Sequence, residues 1–201
     1  MSPRKHDAKL EATRKEALVR AGYAAVVEKG LEGLTVEATA QRAGSSKGGA
    51  LYYFPKKEDL MVGILEWVLN QVGKNLDEAV AAQSNPRAKL AAELELLFHS
   101  AELNRKFYSV FLDYLSAGSR NKTFTKLLEQ FYRKCHERDR KIIEDGIQQR
   151  QFRNVNPDDA ANLFRAVVDG LCIQWLMAKT GTPIEPFHQQ CRAALGSYLI
   201  R

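Results

Sequence analysis

Cysteine is scarce in this chain of 201 residues, and Cys135, Cys172 and Cys191 show no short repeated spacing. That argues against a disulfide framework and against a zinc site. Three reduced thiols fit the cytoplasm. The basic start, Ser2-Pro3-Arg4-Lys5-His6, leads into no apolar run, so it does not read as a secretory signal. The triplet Asn121-Lys122-Thr123 is then an accidental match to a glycosylation acceptor. No unbroken apolar run of membrane-spanning length occurs. The most apolar stretch, 160–178, is interrupted by Arg165, Asp169 and Gln174. Gly-rich phosphate loops, nucleophile elbows and paired metal-ligand motifs are missing. The four histidines are scattered, and Cys135 and His136, adjacent on a helix, point in different directions. The sequence therefore predicts no catalytic cluster, no cofactor and no metal: not an enzyme, and not a membrane protein.

What the chain has is a net charge of +6 and apolar residues at helical spacing almost throughout. The charge suits an anionic partner such as nucleic acid. The spacing predicts an all-α fold of about nine helices, with no strands, repeats or low-complexity segment. Residues 35–60 stand out. Val36, Ala40 and Ala43 form one apolar face, Thr35 is placed to cap that helix, and Gly44 to end it. Ser45 or Ser46 caps a second helix over 47–54 that opens with Gly48 and Gly49. Each glycine costs a helix interior roughly 1 kcal/mol against alanine, a cost that fits a backbone approached closely by a phosphate or base edge. Two short helices across a glycine turn are a helix-turn-helix, whose second helix enters the major groove.

The stretch resembles the DNA-binding region of the TetR family of transcriptional regulators. The residues that carry the likeness are Gly30, Thr35, Ala43-Gly44, Ser46-Lys47-Gly48, Leu51-Tyr52-Tyr53-Phe54-Pro55 and Lys57. Thr39 and Ser45 depart from the family pattern, which prefers branched apolar residues there; the Thr39 hydroxyl is expected to bond back to the preceding turn. The DNA-binding set is Thr35, Ser46, Lys47, Gly48, Gly49, Tyr52, Tyr53 and Lys57. Thr35, Tyr52, Tyr53 and Lys57 are assigned to phosphates, and the others to base edges and close backbone approach. The basic arm with Arg4, Lys5, Lys9 and Arg14 is open between a solvated tail and a second DNA contact.

Residues 1–56 are read as a three-helix helix-turn-helix DNA-binding domain, and 57–201 as a helical ligand-binding and dimerisation domain. Further helices are expected over 57–82, 86–100, 104–117, 121–150, 157–178 and 184–200. The charge-dense 133–141 reads as a solvated face, with Arg133–Glu137 and Glu137–Lys141 pairs. Surplus apolar surface on the last two helices suits a homodimer contact, expected at Leu163, Val167, Leu171, Leu195, Tyr198 and Leu199; the resemblance implies the same. Trp67, Phe107, Phe111, Tyr114, Phe131 and Trp175 are either core or the lining of a small-molecule pocket, with Asp169 and Gln174 as its polar groups. The resemblance implies that some of them line one. The reading is a sequence-specific DNA-binding transcriptional regulator. It is expected to act as a repressor, released from a palindromic operator by an unidentified small-molecule effector. The alternatives are a ligand-independent DNA-organising or cell-division factor, and a small-molecule-binding enzyme with a vestigial helix-turn-helix.

Overall fold

Helix starts follow the local chemistry. Thr35 accepts from the Ala38 amide at 3.1 Å, Ser46 from Gly49 at 3.0 Å, Asn85 from Ala88 at 2.9 Å and Asn156 from Asp158 at 2.9 Å. Each cap satisfies an amide that the first helical turn leaves free. The computed structural model describes the backbone of residues 3–200 and the side chains of residues 8–200, so Arg4 and Lys5 of the basic arm lie outside the described side chains. The described residues form nine helices and no strand: α1 (Pro3–Lys29), α2 (Val36–Arg42), α3 (Lys47–Tyr53), α4 (Lys57–Ala81), α5 (Pro86–Phe98), α6 (Ala101–Gly118), α7 (Lys122–Gln148), α8 (Pro157–Met177) and α9 (Glu185–Leu199). The all-α class is as expected. α6 begins at Ala101 rather than Asn104, because Ser100 Oγ accepts from the Leu103 amide at 3.2 Å and caps it earlier.

Packing divides the chain into two compact units. The first is Met1–Asn70 with Val110–Leu127. Its core is built from Leu18, Val19 and Val26 of α1, Ala40 and Ala50 of the two short helices, and Phe54, Leu60 and Ile64. Fully burying a leucine or isoleucine contributes about 1.5–3 kcal/mol. α1 and α4 meet at Gly22, where a Cβ would lie 2.7 Å from Ile64 Cδ1, so any larger residue would force the buried Ile64 side chain to shift. Gly44, at φ +65°, makes the left-handed turn between α2 and α3. Thr39 is 1% exposed and its hydroxyl has no hydrogen-bond partner, which corrects the expectation that it bonds back to the preceding turn. The α6–α7 corner is tied in by polar contacts. Asp113 accepts from the Leu31 amide at 3.4 Å, Tyr114 donates to the Met61 carbonyl at 2.8 Å, and Asn121 donates to Glu58 at 3.0 Å.

The second unit is Gln71–Ser109 with Leu128–Arg201. Leu90, Leu94 and Phe98 of α5, Ile142 and Ile143 of α7, and Phe164, Val168 and Cys172 of α8 are buried in it. α9 packs on α8 and α5 and adds Cys191, Leu195 and Leu199. The charge-dense part of α7 is only in part the solvated face expected. Arg133, Glu137 and Lys141 are exposed, but Asp139 is fully buried and the Arg138 side chain is 10% exposed. Their partners come from other helices, which local spacing does not reveal.

Candidate DNA interface and effector site

The α2–α3 pair presents a polar face. Ser46, Lys47, Gly48 and Tyr52 are exposed, Tyr52 at 72%, and Gly49 and Tyr53 are half-buried. The Tyr52 and Tyr53 rings meet edge to face at 5.0 Å, so one tyrosine braces the other. Lys47 Nζ rests 2.8 Å from Glu37 of α2, both side chains largely in water. This hydrogen bond holds the Glu37 carboxyl below the usual carboxylate range. A phosphate or base edge has only a solvated partner to displace there. Lys57 Nζ donates to the Glu32 carbonyl at 2.9 Å, and the Thr35 oxygen serves as the α2 cap. A Cβ at Gly48 would meet nothing within 4 Å, so packing inside the chain does not explain that glycine. An open cleft of about 430 Å³ runs along α3, with Glu11 and Arg14 of α1 facing Ser45, Ser46, Tyr52 and Tyr53. Arg42 of α2 grips Glu28 of α1 with two nitrogens, at 2.8 Å for Nη1, and so fixes α1 against the pair.

The eight residues expected at a pocket fall in both units. The first holds Trp67, Phe111 and Tyr114. Trp67 leans on Tyr23 at 5.6 Å, with Arg20 over its ring at 5.5 Å, and Tyr114 packs edge-on against Phe124 at 5.2 Å. The second holds Phe107, Phe131, Asp169, Gln174 and Trp175. Trp175 is 1% exposed, donates to the Thr182 carbonyl at 2.9 Å and carries Arg105 over its face at 4.7 Å. Those contacts make it a core residue. Gln174 is exposed on α8 and lines no buried site.

Asp169 is the centre of a gathered group. Its carboxylate accepts from Tyr108 Oη at 3.0 Å and from Tyr132 Oη at 2.9 Å. Phe107 stands edge-on to Tyr108 at 5.2 Å, and Phe131 edge-on to Tyr132 at 6.0 Å. Burial, with Asp169 beside them, pushes both phenols up, so they stay protonated and donate. The carboxylate thus meets two tyrosines, each with a phenylalanine ring against it, and negative charge with aromatic rings is the chemistry that attracts an organic cation. Reading the sequence missed Tyr108 and Tyr132. The only signal was an acid, Asp169, inside an apolar stretch.

Asp169 also borders a buried ionic cluster. Arg165, one helical turn away on α8, lies 3.8 Å from Asp169, 3.3 Å from Glu93 of α5 and 3.8 Å from Asp139 of α7. Arg138 reaches Glu93 at 3.0 Å and Asp77 of α4 at 3.1 Å. Burial opposes the charge on Arg138, but the Glu93 carboxylate outweighs it and holds the guanidinium charged more firmly than usual.

On the expected dimer face of α8, Leu163 is 37% exposed and Val167 and Leu171 are half-buried. Leu195 and Leu199 of α9 differ from expectation. They are 2% and 1% exposed inside one chain, because α9 turns this stripe onto α8 and α5. The face α9 leaves open carries Ala194 and Ser197, with Tyr198 half-buried at its side. Among the described residues, no cluster of three or more His, Cys, Asp or Glu side chains is placed to hold a metal ion. No described helix is long and apolar enough to cross a membrane.

Comparison with known proteins agrees with this geometry. Residues 15–64 match the family described as bacterial regulatory proteins, tetR family, and residues 86–199 match that described as BetI-type transcriptional repressor, C-terminal. The regulator BetI of Stenotrophomonas maltophilia is 29% identical over 181 residues, which are 83% of this chain and 82% of that protein. BetI of Brucella anthropi is 23% identical over 189 residues, 85% of this chain and 97% of that one. A Saccharomonospora viridis protein crystallised in complex with choline shares the fold, with a TM-score of 0.87 and 20% identity over 94% of this chain and 99% of its own. The chain belongs to the TetR family of DNA-binding transcriptional regulators and carries a C-terminal domain of the BetI type.

Proposed function

We propose that the protein is a homodimeric repressor released from its operator by a small quaternary ammonium compound of the choline type. The observation that carries this reading is Asp169, held between the hydroxyls of Tyr108 and Tyr132 with Phe107 and Phe131 flanking them. A cation without hydrogen-bond donors on nitrogen is recognised by charge and by aromatic rings, and this group brings the two together. The choline complex of the similar fold supports the same ligand class.

In this reading residues 1–56 read DNA, residues 57–201 bind effector and partner, and the two packing units cut across that functional division. Ser46, Lys47, Gly48 and Gly49 approach base edges, while Thr35, Tyr52, Tyr53 and Lys57 grip phosphates. Two α3 helices then sit about 34–36 Å apart, or a multiple of that, on a palindromic operator. The second copy covers Leu163, Val167 and Leu171 of α8 with Tyr198 of α9. The protein works in the cytoplasm and catalyses no reaction. Choline must bind the DNA-free conformation more tightly than the DNA-bound one, since otherwise it shifts nothing.

The test is a gel shift on DNA selected from random sequence, with and without choline. Choline should release wild-type protein, and Asp169→Asn should bind the same DNA but ignore choline. Release of the Asn variant at the wild-type choline concentration would sink the effector assignment.

A further inference from the structure

The ionic cluster beside Asp169 does not balance. Glu93, Asp139 and Asp169 bring three carboxylates to two guanidiniums, Arg138 and Arg165. Glu93 and Asp139 are fully buried, and water does not screen them. Asp77 adds a further negative charge through Arg138, but it is 71% exposed and hydrated. With every carboxylate ionised, both Asp139 oxygens lack a hydrogen-bond donor, their guanidinium neighbours being 3.8 and 3.9 Å away. A proton on Asp139 removes the excess charge and makes one of those oxygens a donor, with the neighbouring Glu93 carboxylate as its acceptor. Arg165 is the group shared between the two sets of acids, and its Nε has no acceptor.

We propose that binding of an organic cation at Asp169 releases one proton from the Glu93–Asp139 pair, with Arg165 carrying the change from one site to the other. This inference rests on the effector reading above. In the ligand-free protein Arg165 divides its charge between Asp169 and the buried pair. A cation beside Asp169 takes over part of that neutralisation. Arg165 turns toward Glu93 and Asp139, and the Asp139 O–H bond breaks. The proton leaves to solvent, and no other bond changes.

The groups facing Asp139 are Arg138 and Cys135 on its own helix, Glu93 from α5 and Arg165 from α8. Burial, and after it the Glu93 charge, pushes the Asp139 carboxyl well above the usual carboxylate range, while Arg165 and Arg138 pull it down. The thiol does not compete, since burial pushes Cys135 up as well. Because a guanidinium already sets the position of this equilibrium, moving it is the natural control.

Choline suits the test because its own charge does not change with pH. Calorimetric titration in two buffers of different ionisation heat should show about one proton released per choline bound. Where Asp139 holds its proton, choline affinity should rise about tenfold per pH unit. Asp139→Asn should still bind choline, with no proton released and no pH dependence. The isosteric amide replaces a neutral acid, so this variant is expected to fold. Infrared difference spectroscopy on ligand-free protein gives a readout that needs no effector. A protonated-carboxyl band should be present in wild type, absent from Asp139→Asn, and removed from wild type by choline. Choline binding without proton release overturns the coupling and leaves the effector reading standing. A band that survives in Asp139→Asn overturns the protonated pair. No choline binding at all defeats the effector reading and the coupling with it.

Discussion

Replacing Gly48 by alanine should separate stability from DNA binding. The residue is the second of α3, exposed, and a Cβ there meets nothing within 4 Å. It is not among the glycines of positive φ, so an L side chain fits its backbone. Alanine at a compatible site stabilises by about 0.4–1 kcal/mol, chiefly by restricting the unfolded chain. In a chain of this size each kcal/mol moves Tm by about 2–4 °C, so a rise of about 1–4 °C is expected by scanning calorimetry. DNA should respond in the opposite direction. If the α3 backbone approaches a phosphate or base edge at this point, the new methyl occupies the space that the approach requires. Loss of one such contact costs about 1–3 kcal/mol, or about 5- to 150-fold in Kd. Fluorescence anisotropy on the selected operator at fixed salt measures it. A raised Tm with unchanged Kd would refute close approach at Gly48. A lowered Tm would refute the claim that the free protein has room for the methyl.

Gly22→Ala should do the reverse at the α1–α4 crossing. Its Cβ meets Ile64 at 2.7 Å, and overpacking of this kind costs about 1–3 kcal/mol, read as a fall in Tm. Asp139→Asn should change how stability depends on pH. Burial raises the native carboxyl above its unfolded value of 3.8, so between those two values the native state holds one proton more than the unfolded state. Stability from this group is therefore lost as pH rises, by about 1.4 kcal/mol per pH unit, until the native group ionises too. The Asn variant should be the more stable of the two by a margin that grows with pH through that window; equal slopes in urea titrations would contradict it. Leu163→Glu places a charge on an apolar surface that is 37% exposed in one chain. It should shift the protein to monomer in sedimentation without lowering helix content, and an unchanged dimer would remove this face of α8 from the interface.

Much of the helix pattern is legible because its causes are local. Thr35, Ser46, Asn85 and Asn156 start helices through contacts two or three residues away, and Gly44 and Gly30 stop them with positive φ. The candidate DNA face is legible for the same reason. It is one short helix, α3 (Lys47–Tyr53), with its cap Ser46, all within eight consecutive residues. The candidate effector site is not. Tyr108, Tyr132 and Asp169 come from α6, α7 and α8; Asp169 stands out alone as an acid in an apolar stretch, but the two tyrosines read as ordinary core or surface residues. The stripe of α9 shows the same limit. Periodicity puts Leu195, Tyr198 and Leu199 together as apolar, but only packing decides that the two leucines turn inward.

The sequence by itself determined the all-α class, the helix-turn-helix and the family, since all three rest on residues close together along the chain. Tertiary structure alone decided where the charges of α7 go. Arg138 and Asp139 lie among exposed charged neighbours and share their local pattern. They are buried because Glu93, Asp77 and Arg165 reach them from three other helices. A buried ionisable group is stable only with such partners, and spacing along one helix carries no information about them.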